Sequence, residues 1–211
     1  DELGAYPGLA GVHLDYIRHP DVILPVALRS QYGLVQDREL AEFDFCYCPV
    51  CRQAFAAQSG RDPLHLADPA ADQEWVAYRW ATVREAVAAA VGTARARGKQ
   101  LTAAVFATPA LARQYVRQDW DRWPVDAVLP MMYHHYYGQP AAWVAQAVRE
   151  GVAALPATVP LHAGLFVPRL EPAELATTAG QALAAGAAGV ALFSHAAMTP
   201  AHWTEVAAAL L

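Results

Sequence analysis

Five short apolar runs punctuate the chain, and between most of them apolar positions recur at helical spacing. The first run, Gly11-Val12-His13-Leu14-Asp15-Tyr16-Ile17-Arg18-His19-Pro20, fits a buried strand that carries a histidine and an aspartate two places apart. Side chains alternate faces along a strand, so His13 and Asp15 are expected on one side and Val12, Leu14 and Tyr16 on the other. Two ionisable groups are costly to bury unpaired. The pair is therefore either hydrogen-bonded inside a core or part of a polar, partly wet site.

Residues 20–71 show no sustained periodicity, a span far longer than an ordinary strand-to-helix connection, and are expected to be a long functional loop. From Asp72, a plausible N-cap, Val76, Trp80, Val83, Val87 and Val91 trace one face of a helix that ends at Gly98. Leu101 to Thr108 reads as a strand and Ala110 to about Gln118 as a helix. Strands at Ala127–Tyr133, Leu161–Val167 and Gly189–Phe193 then alternate with helices at Pro140–Leu155 and Pro172–Ala185. A last helix is capped by Thr199, with Pro200 at its first position.

Strand and helix thus alternate five times, which predicts an α/β fold with a parallel sheet. No Gly-x-Gly-x-x-Gly follows any strand, so the dinucleotide-binding fingerprint is missing and no organic cofactor is expected. Polar and aromatic residues gather instead at strand C-terminal ends: Asp15 and Arg18, Thr108, Tyr133 and His134, Ser194 and His195. A (β/α)8 TIM barrel keeps its active site there. The expectation is a partial TIM barrel of five βα units in one domain, residues 1–211, with the cysteine-containing insertion at 20–71. Either the sheet is open, or three units lie upstream, or a partner supplies them. Pro7-Gly8-Leu9-Ala10, which reads as the end of an earlier helix, favours units upstream. An edge left open at the first strand would favour self-association.

The composition narrows the partners. The chain has 211 residues, a formal net charge of −5, and 15 Lys and Arg that are scattered along it, which argues against a nucleic-acid surface. No apolar stretch approaches the roughly 20 residues that span a bilayer, and no signal peptide is visible, so no membrane partner is expected and the compartment stays open.

Gly11-Val12-His13-Leu14-Asp15-Tyr16-Ile17-Arg18-His19-Pro20, Gln118-Asp119-Trp120 with Trp123, and Val125-Asp126-Ala127-Val128-Leu129-Pro130-Met131-Met132-Tyr133 together resemble a poorly characterised group of glycosyl-hydrolase-like TIM-barrel proteins. That group carries Gly-Ile-His-Leu-Asp-Tyr-Ile-Arg-Tyr-Pro at strand four and Asp-x-Val-x-Pro-Met-x-Tyr at strand six. His19 departs from the usual tyrosine. The resemblance implies barrel strands four to eight, a carbohydrate substrate, and Asp15 as the catalytic carboxylate. Arg18 would lie beside it, holding it ionised or binding a sugar hydroxyl.

Hydrolysis of an O-glycosidic bond ordinarily takes two carboxylates. Candidates for the second are Asp21, Asp119, Glu39, Glu42 or a residue upstream, while Asp126, at the opposite strand end, reads as structural. His13, Arg18, Tyr133, His134, Trp120 and His195 are the candidate substrate-binding residues, with core packing the competing role for Trp120 and Trp123. Two alternatives stand beside the glycosidase: an amidohydrolase-type enzyme with His13, Asp15, His134 and His195 around a metal ion, and a non-catalytic carbohydrate-binding barrel fragment.

Three cysteines are too few for a disulfide framework. Cys46, Cys48 and Cys51, spaced Cys-x-Cys-Pro-Val-Cys, suit one tetrahedral ion, and a structural zinc is the expected ligand. The segment is similar to the zinc-binding stretch after strand four of some barrel β-galactosidases, where a fourth cysteine comes from earlier in the chain. Here a histidine, an acid, water or an upstream residue would complete the site, and the alternative is three reduced thiols in a loop.

Overall fold

The computed structural model describes residues 2–210. After β1 (Gly11–Leu14) come α1 (Val26–Arg29), α2 (Pro49–Ser59) and α3 (Gln73–Arg95), then β2 (Gln100–Phe106) and α4 (Pro109–Val116). β3 (Ala127–Met131), α5 (Trp143–Ala154), β4 (His162–Phe166), α6 (Pro172–Ala184), β5 (Gly189–Phe193) and α7 (Pro200–Leu210) complete the order. The five strands form one parallel sheet in which each strand pairs with its neighbour in sequence, β1-β2-β3-β4-β5. Parallel pairing requires a crossover, and helices provide it each time. The result is the mixed α/β, partial-barrel arrangement that the alternation of periods predicts.

Local chemistry accounts for the helix starts. Asp72 accepts the Trp75 N–H at 3.0 Å and opens α3, and Thr108 accepts the Leu111 N–H at 3.3 Å with Pro109 in the first position of α4. On α3 the buried positions Val76, Val83, Val87, Val91 and Ala94 make one stripe. That stripe packs against β2, whose outward residues Leu101, Ala103 and Val105 join it in the core, while α6 covers β4 and its outward residues Ala163 and Leu165. The opposite, concave face carries His13, Ala104, Leu129, Met131, Gly164, Ala191 and Phe193, which line a cleft.

Two expectations need correction. The first strand stops at Leu14, because Tyr16 adopts a left-handed φ of 53° that turns the chain. Tyr16 therefore does not continue the outward face; it lines the cleft beside Asp15. The span 20–71 is also not a featureless loop. It holds α1 and α2, with Cys48 as the N-cap of α2, Pro49 at its first position and Gly60 closing it at φ 72°. Among the described residues no helix is long and apolar enough to cross a membrane.

Candidate active site

The cleft lies at the carboxyl ends of the strands and has a volume of about 630 Å³. Asp15 enters it directly from the end of β1, and its Oδ1 accepts the Tyr16 N–H at 2.8 Å. No ion pair engages Asp15 among the described residues, so its carboxylate lines the cleft without a cationic partner. One layer deeper His13 also lines the cleft, its Nδ1 2.8 Å from Thr102 Oγ1 on β2. The alternation of faces read from the sequence thus places both groups together.

Arg18 lines the same cleft, but its partner is Asp21 and not Asp15. Nη1 donates to Asp21 Oδ2 at 3.2 Å and to the His19 carbonyl at 3.1 Å, while the guanidinium lies over the rings of Tyr16 and Phe106, 5.1 and 5.4 Å from their centroids. Tyr133 comes from just beyond β3. Burial, reinforced by the negative charge of Asp15, pushes its phenol up to about 12, so the hydroxyl stays protonated at neutral pH and is a hydrogen-bond donor.

Three sequence expectations fall outside the cleft. Trp120 is fully buried and donates Nε1–H to the Phe106 carbonyl at 3.0 Å; its ring packs the core and offers no face to a sugar. His134 is buried in the short 3-10 turn His134–Tyr137 and its ring meets that of His135 edge-on, so it does not reach the lining. His195 is exposed in the turn His195–Ala197, beside Trp203 at 5.9 Å, and again lies off the cleft. His13, Asp15, His134 and His195 therefore do not gather around an ion, which removes the geometric basis of the amidohydrolase alternative. Of the candidate second acids only Asp21 lines the cleft. Asp119 is buried, ion-paired with Arg84 and bonded to Trp123 Nε1, and Glu39 pairs with Arg117.

The cysteine segment leads into α2 and takes no part in the cleft lining. The Sγ of Cys46 is 3.4 Å from that of Cys48 and 3.3 Å from that of Cys51, and all three sulfurs lie within 4.8 Å of one another. Tetrahedral zinc with bonds of roughly 2.3 Å needs sulfurs about 3.7 Å apart, so the trio fits the ion with a small expansion. The Cys51 backbone N–H at the start of α2 donates to the Cys48 sulfur, which lowers that thiol to about 7; burial and the neighbouring sulfurs push Cys51 up to about 12. No fourth His, Cys, Asp or Glu joins the group among the described residues.

Buried charges anchor this segment. Asp44, fully buried, is bound by Arg117 through Nε and Nη2 at 3.2 and 2.9 Å and approached by Arg79 at 3.4 Å. Arg79 also donates to the Cys46 carbonyl at 3.1 Å. A signal was present: Arg79 stands three positions after Val76, inside the apolar stripe of α3, where an unpaired charge is not tolerated.

The fold and the cleft together describe a partial (β/α) barrel with an acidic, aromatic-lined mouth at its strand C-terminal ends. Among solved structures it is similar to the glycoside hydrolase domain of PgaB (BpsB) from Bordetella bronchiseptica, with a TM-score of 0.55 and 16% sequence identity. The match covers 96% of this chain and 57% of that one, so the chain spans little more than half the length of the domain it resembles. No family model matches the sequence, and no curated protein does.

Proposed function

We propose that the chain carries the catalytic cleft of a glycoside hydrolase acting on O-glycosidic bonds of an oligo- or polysaccharide. The observation that carries this reading is Asp15: a carboxylate at the carboxyl end of a barrel strand, open to a cleft and free of a cationic partner. The likeness to a glycoside hydrolase domain supports it at the level of fold. Asp15 is the essential carboxylate, Asp21 the second carboxylate of the same cleft, and Arg18 the group that holds Asp21 in place. Tyr133 and His13 bind substrate hydroxyls from the two sides of Asp15. Cys46, Cys48 and Cys51 hold a structural zinc that stabilises the neck of the insertion; three thiolates leave it no role in activating water unless the fourth position is a solvent molecule.

Asp15→Asn is the test. It keeps the size and the hydrogen bond to Tyr16 but removes the charge, so hydrolysis of a reducing-end-labelled oligosaccharide is expected to fall by a factor of about 10³ or more while the thermal midpoint is unchanged. Undiminished hydrolysis in that variant rejects the assignment. A second reading, a non-catalytic glycan-binding cleft, is favoured by one feature: Asp21 is tied to Arg18, which leaves a single unpaired carboxylate among the lining residues. Binding of a glycan without turnover by the wild-type chain would select it.

A further inference from the structure

The wall of the cleft opposite Asp15 is built from aromatic rings contributed by three consecutive strand ends. Phe193, the last residue of β5, is 57% exposed although it is a large apolar side chain. Its ring is nearly parallel to those of Tyr133 and Phe166, at centroid separations of 6.1 and 6.2 Å and interplanar angles of 22° and 23°. Tyr133 and Phe166 touch each other at 5.2 Å, and Tyr136 adds a fourth ring 6.2 Å from Tyr133. Tyr133, Tyr136 and Phe193 line the cleft, and Phe166 backs them. On the far side Tyr16 and Tyr32 stand 77% and 66% exposed.

Such exposure costs free energy in water unless something covers the rings. The axial C–H face of a pyranose is flat, apolar and weakly positive, and it complements the negative face of an aromatic ring. The charge of the cleft narrows the sugar further. Among the lining residues the carboxylates are Asp15 and Asp21, the one guanidinium, Arg18, is already paired with Asp21 and stacked on two rings, and the one imidazole, His13, is engaged by Thr102 through Nδ1. No lysine and no unpaired arginine is left in the lining for a uronate carboxylate or a sulfate, and Asp15 repels both. The negative charge reaches the platform itself, since after burial it is the next cause that holds the Tyr133 phenol protonated.

We propose that Phe193 and Tyr133 form a stacking subsite for a pyranose ring of a neutral polysaccharide, and that the cleft rejects acidic glycans. This rests on the glycosidase reading only for the identification of the ligand as a carbohydrate. Phe193 acts by binding a sugar unit beside the bond under attack and takes no part in proton transfer.

The test is affinity electrophoresis of the full chain, run with the neutral probes in the Asp15→Asn background, which keeps the polymer intact, and with the acidic probe on the wild-type chain, which keeps the charge argued to repel it. Gels contain a mixed-linkage β-glucan, a galactomannan or a xyloglucan as neutral probes, and polygalacturonate as the acidic one. Retardation is expected in at least one neutral gel and none in polygalacturonate. Adding Phe193→Ala should weaken the retardation about tenfold, and Phe193→Trp should retain it. Because the side chain is exposed, the alanine variant is expected to keep the thermal midpoint of its parent, which separates lost contact from lost fold. Retardation by polygalacturonate, absence of retardation in all three neutral gels, or equal affinity of Phe193→Ala each overturns the proposal. Neutral-gel retardation that depends on Phe193 in a wild-type chain without turnover would defeat the catalytic reading alone; turnover of a neutral glycan indifferent to Phe193→Ala would defeat this proposal alone.

Discussion

Acidification should destabilise this fold through His19. The imidazole is wedged against Arg79: its Nδ1 lies 3.3 Å from Arg79 Nη2, and its Nε2 lies 3.2 Å from Thr82 Oγ1 and 3.3 Å from the Arg79 carbonyl. A guanidinium only donates, so Nδ1 must accept and Nε2 must carry the proton, which fixes a neutral tautomer. Burial, then the charge of Arg79, lowers His19 from 6.5 to about 4. Between those values the unfolded chain binds a proton that the folded chain refuses, so the contribution is complete above pH ~6.5 and is lost as pH falls toward 4. The whole depression corresponds to at most ~3 kcal/mol, and ~2 kcal/mol of it is gone at pH 5. His19→Gln keeps an acceptor and a donor but cannot titrate. Urea denaturation of both proteins at pH 7.5, 6 and 5 should show the wild-type advantage shrinking by ~2 kcal/mol over that range. Parallel pH dependences for the two would refute the assigned tautomer and the burial of the ring.

Two further outcomes test other parts of the structure. Trp120→Ala should cost ~3–5 kcal/mol of stability, read as a fall in denaturation midpoint, with no selective loss of glycan affinity; a change in affinity at unaltered stability would return Trp120 to the binding surface. The purified chain should hold one zinc per molecule by elemental mass spectrometry, and the triple variant Cys46→Ser, Cys48→Ser, Cys51→Ser should hold none and become cleavable by protease near the start of α2. Undiminished zinc in that variant would place the metal elsewhere.

What the sequence made legible follows from how each signal arises. α3 was readable because a long helix against a sheet needs a sustained apolar stripe and a capped start, and Val76 to Val91 after Asp72 supplied both. α2 was not, because within it only Phe55 is buried and no stripe forms. Asp15 and His13 were legible from the two-residue period of a strand. Residues just past strand ends were not: the 3-10 turns His134–Tyr137 and His195–Ala197 follow β3 and β5 within three residues and carry His134 and His195 away from the cleft lining. Arg18, expected to hold Asp15 ionised or to bind a sugar hydroxyl, lines the cleft but pairs with Asp21; the chain turns at Tyr16 between the two carboxylates, and periodicity carries no information about that turn.

The proline at the middle of β3 has a consequence for how the sheet moves. Val128 and Met132 donate their N–H groups toward β4, to the carbonyls of Pro160 and Gly164, and Pro130 between them has no N–H to give. The β3–β4 pairing is thereby reduced to Met131 opposite Gly164 and a bridge from Val128 to Leu161, while β2–β3 and β4–β5 are each joined over five residues. The sheet thus has a seam, with β1 to β3 on one side and β4 to β5 on the other. Tyr133 belongs to the first part and Phe193 to the second, so a molecule resting on both rings would rivet the seam shut. Amide exchange along Val128–Met132 and Leu161–Leu165 is the place where that riveting would register.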